Sequence, residues 1–60
     1  MTERIYFGTG DIFRPNPHYV ELYQDGYRSL LGEYRTLSQA NEVALKIASS
    51  RGCECLSENF

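Results

Sequence analysis

The chain has 60 residues, 42% hydrophobic and 13% aromatic, the composition of a folded domain rather than of a disordered tail. Six basic residues against eight acidic ones give a net charge of −2, with Arg4, Arg14, Arg28, Arg35, Lys46 and Arg51 scattered along the chain. That balance excludes the basic stripe on which non-specific nucleic-acid binding rests, and eight carboxylates are too few for a mimic of DNA.

A chain of this size forms one domain, 1–60, which hides only about 60% of the surface its unfolded form exposes. Its core is therefore expected to be small and helped by a partner or by self-association. No apolar run approaches the roughly 18–20 residues that span a bilayer. Residues 1–7 show no long apolar stretch followed by a small-residue cleavage site. A cytoplasmic protein without membrane contact is expected, with Cys53 and Cys55 reduced.

In chain order, Arg4–Phe7 reads as a short strand ending at the turn cluster Gly8-Thr9-Gly10-Asp11. Arg14-Pro15-Asn16-Pro17 is stiff and extended, unsuited to a strand interior, and is expected to carry the chain across one end of a sheet. Gln24-Asp25-Gly26-Tyr27 holds the Asp-Gly pair of a type I′ hairpin turn, whose two central residues need positive φ. With a two-residue loop, Gln24 faces Tyr27, Leu22 faces Ser29 and Val20 faces Leu31. One face then carries Val20, Leu22, Ser29 and Leu31. The other carries Tyr19, Glu21, Tyr23, Arg28, Leu30 and, at its end, Tyr34. The aliphatic face is assigned to the core, because Glu21 and Arg28 would be costly to bury.

Leu37, Ala40, Val43, Ala44, Ile47 and Ala48 recur at three- and four-residue steps, within an arc of about 140° on a helical wheel. Thr36 and Gln39 match a capping box, with Ser38 a competing cap, and Gly52 stands where a left-handed C-terminal cap is needed. The spacing predicts a helix over 37–51, with Val43, Ala44 and Ile47 buried. Cys53-Glu54-Cys55-Leu56 then alternates as a strand does. The expected fold class is α+β: a small antiparallel sheet, the hairpin plus an N- and/or C-terminal strand, packed on one amphipathic helix in β-β-α-β order.

Cys53-x-Cys55 places both thiols on one side of a strand, and with His18 it offers at most three metal ligands. Structural zinc wants four, so the cysteines read as small core hydrophobes and no metal or cofactor is expected. Gly8-Thr9-Gly10 lacks the third glycine of a dinucleotide fingerprint, the lysine of a P-loop and a following helix, and reads as a plain turn. His18 has no nucleophile arranged with it, and Glu21 and Glu33 have nothing to pair them as acid and base. No catalytic residue is assigned, and the chain is not expected to be an enzyme.

Five tyrosines, Tyr6, Tyr19, Tyr23, Tyr27 and Tyr34, fall in the predicted strands. Tyrosine and arginine dominate binding hot spots because they bury much area at modest entropic cost. The predicted partner-binding residues are Tyr19, Glu21, Tyr23, Arg28 and Leu30, with Leu56 extending the patch. The competing reading is ordinary cross-strand pairing, with Tyr23 stacked on Arg28.

Asp25-Gly26-Tyr27-Arg28, Tyr34-Arg35-Thr36, Ser38-Gln39-Ala40, Ala44-Leu45-Lys46-Ile47-Ala48 and Gly52 together resemble small bacterial and phage β-β-α-β domains of unknown function, the YegP-type domains among them. The resemblance runs from Tyr19 to Leu56 and implies the fold but no catalytic residue. In size and architecture the chain is also similar to small phage inhibitors of host enzymes, anti-CRISPR proteins included. The expected function is a non-enzymatic protein-interaction module, a phage or prophage modulator docking on a host protein. The alternatives are a nucleic-acid-binding domain presenting a three-stranded sheet, as integrase arm-binding domains do, and a housekeeping homodimer.

Overall fold

The structure, a computed structural model, describes residues 3–58. Five elements follow one another: β1 (Glu3–Thr9), β2 (His18–Gln24), β3 (Tyr27–Tyr34), α1 (Leu37–Arg51) and β4 (Glu54–Ser57). The four strands form one sheet in the order β3-β2-β1-β4. The α+β class is as expected, and the N-terminal strand joins the sheet in an interior position. β1–β2 and β2–β3 are antiparallel, whereas β4 lies parallel to β1, so the sheet is mixed rather than purely antiparallel.

The hairpin forms where Asp-Gly predicts it. Asp25 at φ 52° and Gly26 at φ 86° give the two positive φ values of a type I′ turn. Gln24 faces Tyr27 and Leu22 faces Ser29, as read from the sequence. The pairing then slips. A bulge between Val20 and Glu21 sets Val20 opposite Gly32 instead of Leu31. Leu31 becomes the extra residue and is 41% exposed, not part of the core face. The slip turns Gly32 and Tyr34 to the helix side, with the Tyr34 ring in the space over Gly32. A Cβ on Gly32 would lie 2.6 Å from Tyr34 Oη and 3.0 Å from Cζ. Tyr34 accordingly packs against the core rather than ending the outer face.

α1 spans 37–51 as its periodicity predicts. Thr36 Oγ1 accepts the Gln39 N–H at 3.1 Å, and Gly52 takes the left-handed conformation at φ 68°. The Gly52 N–H donates to Ser49 O and the Cys53 N–H to Ala48 O, the paired bonds of a Schellman motif. Ala40, Ala44 and Ala48 face the sheet and are buried, against Ile5 and Val20. Val43 and Ile47 are only half-buried, which corrects the expectation for both. With alanine directly over the strands, the bulkier side chains sit at the rim of the contact. Phe7, Leu22, Tyr34, Cys53 and Cys55 close the core around them.

β1 runs past its expected stop, through Gly8 and Thr9. Gly8 is buried opposite Tyr19, and Thr9 Oγ1 meets His18 Nδ1 at 2.8 Å. The proline segment lies at one end of the sheet and passes over no further strand. It belongs to a loop that joins two adjacent strands, closed by Gly10 N–H donating to Pro17 O at 2.7 Å.

Candidate open-face site

The helix covers the aliphatic side of the sheet and leaves the other side open. Strand alternation sends Arg4 and Tyr6 of β1, Tyr19, Glu21 and Tyr23 of β2, and Arg28 and Leu30 of β3 to that open side. Leu56 lies beside Tyr6 in the parallel ladder, and Glu54 beside Arg4. All five residues singled out from the sequence, Tyr19, Glu21, Tyr23, Arg28 and Leu30, therefore share one surface.

Arg28 organises it. Its Nη2 donates to Glu58 Oε2 at 2.6 Å, and its Nη1 lies 3.8 Å from Glu21 Oε1. Its Cζ stands 5.0 Å from the centre of the Tyr6 ring, within cation–π reach. The Tyr19 hydroxyl donates to Glu58 Oε1 at 2.9 Å, so one carboxylate ties β2 to β3 from just beyond β4. Tyr23 does not stack on Arg28, although the two are directly opposite. It meets Tyr6 edge to face, with centroids 6.2 Å apart and planes at 87°. Leu30, 58% exposed, and Leu56, 37% exposed, flank this cluster. At the β1 end, Arg4 Nε stands 3.7 Å from Glu54 Oε2.

The two carboxylates around Arg28 shift in opposite directions. Burial alone would raise Glu58, but hydrogen bonds from Arg28 and Tyr19 outweigh it and hold Glu58 below the usual carboxylate value. Glu21 is pushed up by burial, with the charge of Glu58 adding and that of Arg28 partly offsetting. Tyr19 is raised, first by burial and then by its bond to Glu58.

Tyr6 and Glu58 were not singled out from the sequence. Alternation along β1 does set Tyr6 opposite to Ile5 and Phe7, a signal that becomes informative once β1 is known to neighbour β2. Glu58 lies beyond the last alternating residue, and the sequence holds no sign of its contact.

The remaining candidates are kept apart by the fold. His18 pairs with Thr9 at one end of β1, while the cysteines pack at the other, where Arg4 faces Glu54. Cys53 and Cys55 are free thiols against the core, and Cys55 is pushed up by burial and then by Cys53. Among the described residues, no three His, Cys, Asp or Glu side chains come together as a metal site. No helix among them is long and apolar enough to cross a membrane. An open cleft of about 810 Å³ lies between Glu3, Arg4, Gln24, Arg51 and Glu54, with Arg51 bonded to Glu3 at 2.8 Å. Comparison with family models, with curated proteins and with solved structures gives no match to this chain.

Proposed function

We propose that the chain is a non-enzymatic protein-interaction module that docks through the open face of its sheet, with Tyr19, Glu21, Tyr23, Arg28 and Leu30 as the binding residues and Tyr6 at their centre. One observation carries this reading. An edge-to-face tyrosine pair, an arginine held over it and two exposed leucines form an aromatic centre with a charged rim, and no described element covers them. That is the anatomy of a hot spot, in which rigid aromatic anchors bury area and the rim excludes water. Arg28 is already fixed by Glu58 and Glu21, so little side-chain entropy is lost when a partner arrives. The finer reading, a phage or prophage modulator acting on a cytoplasmic host protein, rests on the resemblance in size and architecture to small phage inhibitors that the sequence suggests.

A nucleic-acid reading is disfavoured by charge. The two arginines on this face stand beside Glu58, Glu21 and Glu54, which leaves no excess positive charge for phosphates. The test is quantitative capture from host lysate with the parent, Tyr23→Ala, Leu30→Ala and a helix-surface control, Leu45→Ala. A specific host protein should be retained by the parent and the control. Both face variants should keep the parent's circular dichroism and bind that protein roughly 1–3 kcal/mol more weakly. Equal retention by all four proteins would remove the open face as the docking site.

A further inference from the structure

We infer that two copies of this chain pair through β3, edge to edge and antiparallel, to make one continuous eight-stranded sheet. β3 is the longer of the two edge strands, Tyr27–Tyr34 against Glu54–Ser57. Soluble proteins usually blunt such an edge with lysine, proline or a very short strand. β3 has no lysine and no proline, and most of its residues are exposed, Tyr27 at 78% and Leu30 at 58%.

The direction of the free backbone groups follows from the register. In a two-residue hairpin the residues flanking the turn form a hydrogen-bonded pair, so Tyr27 and Ser29 bond to β2 while Arg28 and Leu30 direct N–H and C=O outward. Beyond the bulge, Gly32 faces Val20 and bonds inward, and Glu33, opposite Tyr19, is directed outward. The bond from Glu58 N–H to Phe7 O fits the same alternation, since it sets the Phe7 carbonyl toward β4 and away from β2.

The sequence of the strand, Tyr-Arg-Ser-Leu-Leu-Gly-Glu-Tyr, complements itself when reversed. Antiparallel pairing about a two-fold axis between Leu30 and Leu31 sets Arg28 opposite Glu33 of the second copy, twice. Both lie on the open face, and both direct their backbone groups outward. Tyr27 falls opposite the second copy's Tyr34, both on the helix side, and Leu30 opposite Leu31. Opposite charges and aromatic pairs are the combinations that stabilise facing strands. The bulge selects the occupant. It mismatches a regular strand, but a second copy carries the same extra residue at the same place, and the two keep register. The two open faces then join into one surface with the two β3 strands at its middle.

Sedimentation equilibrium of the full chain tests this inference. The parent should sediment at twice the 6.9 kDa chain mass. Glu33→Arg, which sets arginine against Arg28 across both halves of the interface, should weaken dimerisation roughly tenfold or more. Leu31→Lys, at the exposed extra residue, should weaken it as well, and Leu45→Lys on the helix should not. In hydrogen exchange, the Leu30 amide should be protected in the dimer. A parent that stays monomeric at millimolar concentration overturns the inference, as does a dimer that survives both edge variants or falls apart with Leu45→Lys. The docking face is judged separately. A monomeric parent whose partner binding is lost with Tyr23→Ala refutes the edge pairing and leaves the face standing.

Discussion

The carboxylates around Arg28 make opposite predictions for one conservative change, glutamate to glutamine. Glu58 accepts from both Arg28 and Tyr19 and is held below its ordinary value of 4.5, so its contribution to stability is in place above that value and is lost as pH falls through the lower folded one. Glu21 is raised by burial, so its sign is reversed: its ionised form disfavours the fold, and its contribution is present below the ordinary value and lost as pH rises through the folded one. In Glu58→Gln the amide oxygen can still accept one bond, but the bond from Tyr19 is no longer made to a charged group. The ion pair with Arg28 is half in solvent and is screened. The loss is then about one net hydrogen bond, roughly 1 kcal/mol, or about 4–8 °C of melting temperature in a domain this small. Glu21→Gln should leave the melting temperature at neutral pH unchanged or slightly higher. Thermal unfolding followed by circular dichroism, at neutral pH and at about pH 2.5 where carboxylates are protonated, reads both. The Glu58→Gln deficit should fade at the acid end. Two results would refute the reasoning: a Glu21→Gln cost equal to that of Glu58→Gln at neutral pH, or a Glu58→Gln deficit undiminished in acid.

Two further predictions concern the covered side of the sheet. Gly32→Ala should cost about 1–2 kcal/mol in urea titration, because its Cβ would strike the Tyr34 ring, and combining it with Tyr34→Ala should remove most of the added cost. Simple additivity of the two changes would show that the Tyr34 ring does not fill the space over Gly32. Cys53 and Cys55 replaced together by Ala should leave a folded, metal-free protein, and in the parent Cys55 should react with a disulfide reagent more slowly than in the unfolded chain, because burial raises its pKa. Stoichiometric zinc in the parent, lost on the double change, would contradict that role.

Local chemistry in this chain was legible wherever a single residue type has one physical use. Asp25-Gly26 could only serve a turn of positive φ, Gly52 ended the helix, and Thr36 capped it, each within the span read from the sequence. The division of the hairpin into covered and open faces also followed, because only one side could take Glu21 and Arg28. What the sequence hid depends on contacts made across long separations. The bulge shifts the pairing by one residue and turns Gly32 and Tyr34 to the helix side, so strict alternation misplaced Leu31 and Tyr34. Ala44 is buried as expected, but alanine carries little hydrophobic weight, so the wheel favoured Val43 and Ile47 over Ala40 and Ala48, which with Ala44 lie buried against the strands. Tyr6 joins the open face through the pairing of β1 with β2, and Glu58 reaches it only because β4 flanks β1, a pairing that no local pattern announces.

That pairing has a consequence for the order of events in folding. The hairpin and the helix draw on neighbours in sequence, whereas Arg4 meets Glu54 and Phe7 meets Ser57, fifty residues apart in each case (54 − 4 and 57 − 7). Closing so long a loop is entropically unfavourable until the contacts on both sides of β1 repay it, so the docking of β4 is a late, cooperative step. Glu58 arrives with β4. Until then Glu21 is the one carboxylate beside Arg28, over the Tyr6 ring, and Tyr19 lacks its acceptor. The open face should thus mature last, and a chain with β4 undocked would display Arg28 held by one carboxylate where the finished fold displays it between two. Local opening of this one short strand would convert one surface into the other without unfolding the rest.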